Sequence, residues 1–117
     1  MNLLSIENNK LIITPKGLDK IWSFTNKIEI PFENITNVTI DRTIIYEGKG
    51  LRLLGLATFS KWSGTFISKK RKNFWNVTRT DTPLVIETNN EKFKRLIIGV
   101  ENAEEWVIKI NGLISHK

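Results

Sequence analysis

The sequence predicts a mainly β domain: a barrel or orthogonal sandwich of about seven antiparallel strands, capped by one C-terminal α-helix at about 102–114. Three observations predict it. Short apolar, β-branched runs recur along most of the chain, separated by turn residues. The connections are brief, so successive strands pair as hairpins. Only the last stretch, Asn102 to Ile114, carries an apolar stripe at three- and four-residue steps.

The elements follow in order. Leu3 to Glu7 and Lys10 to Thr14 flank Asn8-Asn9, a pair that tolerates positive φ and so suits a tight hairpin turn. Pro15-Lys16-Gly17 breaks the pattern. Asp19 to Ile30 then reads as a strand bent or split at Thr25-Asn26. Pro31 closes it, since proline cannot donate to a ladder. Phe32 and Ile35 read as plugs dropped into the core from a short turn, and Val38 to Ile45 alternates as a further strand. Glu47 to Ser63, with Gly48, Gly50 and Gly55, is the least regular stretch. Gly64 to Ser68 and Asn73 to Thr78 form a hairpin with Lys69-Lys70-Arg71-Lys72 at its tip. Leu84 to Thr88 and Phe93 to Val100 form a last hairpin about Asn89-Asn90-Glu91. In the helix, Asn102 is placed as an N-cap with Glu105 three residues on, a capping-box spacing. Trp106, Val107, Ile110, Leu113 and Ile114 form the stripe that must cover the sheet. Trp22 and Trp106 sit on periodic apolar faces and are assigned to the core.

Composition narrows the function classes. The chain of 117 residues, 40% hydrophobic and 26% charged, is read as one domain over 1–117 with one core. It has no cysteine, which removes disulfides, thiolate metal sites and cysteine nucleophiles. No signal peptide or spanning run is visible, so the expected location is cytoplasmic, or peripheral at the membrane. Catalytic signatures are missing. The sole histidine, His116, is next to last, and Glu104 and Glu105 do not converge because adjacent helix residues face apart. Gly48-Lys49-Gly50 begins like a dinucleotide fingerprint, but Leu53 stands where the third glycine belongs. The expectation is no enzyme, no metal, no cofactor and no evident small-molecule substrate.

The charge is informative. Of the net +6, residues 1–58 carry +1 and residues 59–117 carry +5. Gly48 to Thr80 contains eight cations (Lys49, Arg52, Lys61, Lys69, Lys70, Arg71, Lys72, Arg79) and no acid. Fields of one sign favour polyanionic partners. With Trp62 and Trp75 these cations are the candidate binding residues. Cations at a hairpin tip beside aromatics suit an anionic membrane surface. They also suit single-stranded nucleic acid stacked on Trp75 or Trp62. The alternative is that the charge only keeps a hairpin tip soluble while Trp75 packs inward. Trp62, with Arg52, Leu54, Leu56 and Phe59, reads either as part of an exposed apolar rim or as core beneath a long loop.

Four stretches resemble the pleckstrin-homology-like domains of bacteria. They are Ile28 to Val38 with its Ile28-Glu29-Ile30-Pro31 step, Leu51-Arg52-Leu53-Leu54-Gly55 followed by Gly64-Thr65-Phe66, Thr82 to Thr88, and Leu96 to Ile114. The resemblance spans nearly the whole chain. It implies a non-catalytic scaffold or adaptor that binds a protein partner or self-associates, with an anionic lipid surface as a further partner and nucleic acid as the alternative. Eukaryotic phosphoinositide-binding relatives carry a spaced basic set in the first hairpin, where this chain offers only Lys10.

Overall fold

The computed structural model describes residues 1–115. Strands β1 (Asn2–Glu7), β2 (Lys10–Pro15) and β3 (Ile28–Pro31) form an antiparallel sheet in that order. Asn8 and Asn9 make the predicted turn, at φ 50° and 63°. Asp19 to Ile30 is not one strand: helix α1 (Asp19–Trp22) precedes β3. The Asp19 carbonyl accepts from Ser23 Oγ at 2.6 Å, which favours a helical turn where the apolar alternation suggested a strand. Trp22 is consequently 40% exposed, against its assignment to the core.

The second sheet holds β4 (Ile35–Ile40), β5 (Leu51–Ala57), β6 (Lys61–Ser68), β7 (Arg71–Thr78), β8 (Pro83–Thr88) and β9 (Arg95–Gly99) in the order β4-β8-β9-β7-β6-β5. The described residues thus form nine strands rather than seven, and they are not all antiparallel. After β7 the chain passes over to β8 and returns as β9, which slots between them and runs parallel to β7. Pairing in hairpin order does not reveal such an insertion. The irregular stretch contains β5. Its glycine is needed where it crosses β6: Gly55 and Gly64 face each other at φ 112° and 151°, and a Cβ on either would lie 2.0 Å from a backbone oxygen of the opposite strand. Ile44–Tyr46 is a 3-10 turn, not the end of a strand.

Two cores result. Leu11, Ile13 and Ile30 of the small sheet pack against Val38, Phe74, Leu84, Ile86, Leu96 and Ile98 of the large one. Phe32 and Ile35 plug this core as expected. Helix α2 (Ala103–Ile114) covers its open side against β4, β8 and the Phe32–Asn34 turn. Ile110 is wholly buried, Trp106, Val107 and Ile114 are partly buried, and Asn111 Nδ2 donates to the Val38 carbonyl at 2.9 Å. Leu113 stays partly exposed. The predicted capping box is absent: Asn102 is left-handed (φ 57°) and its side chain makes no capping hydrogen bond. A backbone turning sharply out of β9 needs positive φ there, which asparagine tolerates better than most residues, and the extended geometry of a side-chain cap is then lost. His116 lies outside the described residues.

The second core lies on the opposite face of the large sheet. The connection from β4 to β5, residues 41–50, crosses from one edge strand to the other. Its Ile44 and Ile45 bury Trp62, Phe66, Trp75, Val77, Val85 and Ile97.

Candidate functional site

The meander β5–β6–β7 carries most of the acid-free stretch, and the fold divides its cations into two sets. One is exposed. Ser68 and Arg71 pair across a two-residue turn whose central residues are Lys69 (φ 55°) and Lys70 (φ 65°), the geometry of a type I′ turn. Arg71 and Lys72 follow at the start of β7, and Arg52 of β5 pairs with Phe66, so it stands near the same end of the meander. All five side chains are exposed, and among the described residues none of them forms an ion pair.

Asparagine and glycine are the usual occupants of such a turn because lysine in the left-handed region is strained. Two adjacent strained lysines therefore trade stability for charge at an exposed tip.

The other cations are built into the structure. Lys61, partly buried, pairs with Asp19 at 2.8 Å. Asp19 also meets the Met1 amino group at 2.5 Å and lies beside Asn76, which bonds Asn2 and Ser63. Burial by itself would raise the Asp19 carboxyl, but hydrogen bonds from Lys61 and the Met1 amino group outweigh it and hold its pKa below the ordinary value.

Lys49 lies in the connection over the outer face. Its Nζ sits 4.0 Å from the Trp62 ring centre and 4.5 Å from that of Trp75, and donates to the Ile45 carbonyl at 2.7 Å. Burial there lowers the Lys49 pKa, and Arg79 adds to this while Glu47 opposes it. Arg79 donates to the Phe59 carbonyl from Nε and an Nη, and lies over Phe59, Trp62 and Tyr46. Lys49, Lys61 and Arg79 thus have local partners that account for their positions.

Trp75 is 0% and Trp62 9% exposed, so neither ring offers a face to a base. Both face the outer core. The alternation along β7 that buries Phe74 in the inner core turns Trp75 to the other side, and the crossing connection covers it. The nucleic-acid reading loses the two rings on which it was built. The exposed aromatics on this side include Phe59, at 83%, and Tyr46, while Phe24 and Trp22 are exposed elsewhere. Tyr46 was not singled out in the sequence, because its place beside Arg79 depends on the connection crossing the sheet. Leu51 and Leu53 are also exposed on β5, alongside the expected Leu54. Their signal was legible in Leu51-Arg52-Leu53-Leu54, in which Arg52 is the single polar residue.

Several cavities open at the surface among the described residues. One of about 320 Å³ lies between the basic tip and β9, lined by Lys69, Arg71 and Arg95 together with Glu47, Glu87 and Asn73. Arg95 and Glu47 are joined by two hydrogen bonds of 3.2 and 2.5 Å. Among the described residues no group of three or more His, Cys, Asp or Glu could hold a metal ion, and no helix is long and apolar enough to cross a membrane.

No curated protein and no solved structure matches the chain significantly. A family model described as "Bacterial PH domain" matches residues 4–114, from β1 to the last residue of α2. With that match over nearly its whole length, and with two facing sheets closed by a C-terminal helix, the chain belongs to the bacterial PH domain family.

Proposed function

We propose that residues 1–117 form one non-catalytic docking domain that engages an acidic protein surface through the exposed cations Arg52, Lys69, Lys70, Arg71 and Lys72. Membership of the family supports a binding module rather than an enzyme. The observation that carries the reading is the Lys69-Lys70 turn, where charge is held at the tip in strained backbone and, among the described residues, forms no ion pair. The other sequence candidates, Lys49, Lys61, Trp62, Trp75 and Arg79, are buried or have partners within the fold and are left out of this face. An anionic membrane surface is the second reading. It is favoured by exposed Leu51 and Leu53 beside the tip, where five cations contribute about 1 kcal/mol each.

The test compares the intact chain with a variant carrying Lys69→Glu, Lys70→Glu, Arg71→Glu and Lys72→Glu. Polyglutamate binding is read by fluorescence polarisation, and vesicles containing phosphatidylserine by flotation. Tip-dependent polyglutamate binding that weakens with salt supports the protein reading. Tip-dependent flotation without polyglutamate binding supports the membrane. If neither probe binds better to the intact chain, the proposal is wrong.

A further inference from the structure

Strand β5 leaves one edge of the large sheet open. It is the last strand of its sheet, paired only with β6, and its other side presents main-chain donors and acceptors without a strand partner among the described residues. Edge strands are ordinarily short, charged or covered. This one runs seven residues, carries one charge, and exposes Leu51, Leu53 and Leu54. A bulge between Arg52 and Leu54 and the Arg52 charge are the protective devices along it.

Pairing with β6 places Leu54 on the side of Thr65, and both line a cavity of about 500 Å³. Across that cavity lie Phe24, Ile28 and Phe93. Phe24 is exposed at its rim and held at φ 56°, a strained conformation for an aromatic residue. Ile28 begins β3, which is itself an edge strand. An open strand edge therefore stands beside a cavity wide enough for side chains, whose apolar wall of Phe24, Ile28, Leu54 and Phe93 is joined by Lys27, Glu29, Glu91 and Lys92.

We propose that this edge accepts an extended segment of a partner protein as an additional strand. Every second side chain of the segment enters the cavity beside Leu54, and acidic residues at one end meet Arg52 and the Lys69–Lys72 tip. The occupant follows from charge complementarity. The β5 strand starts next to the tip, since Leu51 pairs with Ile67, and the whole stretch from Gly48 to Thr80 is free of acids. A second copy paired antiparallel through this edge would set each tip beside the Ala57 end of the other and lay one acid-free strand against another, so the tip cations would meet no carboxylate of that strand. Main-chain pairing supplies affinity, and the cavity and the tip supply the choice of sequence. The inference rests on the docking reading above and specifies the form of its partner.

The test uses a set of synthetic peptides with two leading glutamates and alternating apolar and threonine residues, each made also with alternate amides N-methylated. The proposal expects members of the set to bind. It expects methylation to weaken binding by about tenfold or more, since several main-chain hydrogen bonds at about 1 kcal/mol each are lost. It also expects slowed amide exchange within 51–57 on binding, and weaker binding to Leu54→Glu, a substitution at an exposed position. Equal binding of methylated and unmethylated peptides would overturn it, as would protection confined to other strands. Dimerisation of the chain that Leu54→Glu abolishes would assign the edge to a second copy and overturn it too. Failure of every peptide while polyglutamate still binds through the tip removes the strand and keeps the docking reading. Failure of both probes removes both.

Discussion

Replacing Lys69 by Asn and Lys70 by Gly should make the protein more stable and less able to bind. Both lysines occupy the left-handed region, at φ 55° and 65°. An L residue loses about 1 kcal/mol or more there, and asparagine and glycine lose much less. Glycine gives back about 0.5–1 kcal/mol by freeing the unfolded chain. The two changes together should therefore gain about 1 kcal/mol. In urea unfolding followed by tryptophan fluorescence, that gain moves the midpoint up by about 0.5 M at unchanged slope. In thermal unfolding it raises Tm by about 3–5 °C. Polyglutamate binding should fall in the same variant, because two of five exposed tip charges are gone. A midpoint that stays or drops would refute the strain argument. A more stable variant that binds polyglutamate as well as before would refute the claim that the strain is kept for charge.

Three further outcomes are expected. Ile110→Ala should cost about 2–5 kcal/mol in urea unfolding, because its side chain is 0% exposed at the centre of the face that α2 presents to the inner core. Ile108→Ala, at 75% exposed, should stay within about 0.5 kcal/mol of the parent. Gly64→Ala should destabilise by more than about 1 kcal/mol, since its Cβ would meet the Leu54 carbonyl, whereas Gly48→Ala meets open space and should be near neutral. Asp19 predicts a pH dependence. Its folded pKa is depressed, so its contribution is present above the unfolded value and is lost as pH falls through the folded one. Urea midpoints of the parent should drop below about pH 4. Asp19→Asn should already be weakened at neutral pH by roughly 1–3 kcal/mol, with Lys61 left unpaired, and should show a shallower acid limb.

Much of the architecture was legible because it follows from local chemistry. Asn8-Asn9 fixes a hairpin, the stripe of α2 requires a sheet to lie on, and Phe32 and Ile35 plug the core as their placement after Pro31 suggests. What was not legible depends on contacts between distant segments. The alternation after Asp19 looked like a strand, yet a four-residue helix forms there, with Asp19 pairing Lys61 at the start of β6. Glycines at 55 and 64 suggested irregularity, but each is the near contact that lets two paired strands cross. The basic set looked uniform in the sequence. Only the fold separates Lys49, Lys61 and Arg79, which have structural partners, from the tip cations, which form no ion pair among the described residues. Trp75 could not be oriented without knowing that residues 41–50 cross the outer face and bury it.

The most direct test of the docking face is residue-by-residue mapping of polyglutamate by amide chemical-shift changes in the intact chain. The account predicts that the largest shifts cluster at Arg52 and Lys69 to Lys72 and fade as salt rises. Shifts centred instead on the first hairpin around Lys10, or spread evenly over all lysines, would contradict it.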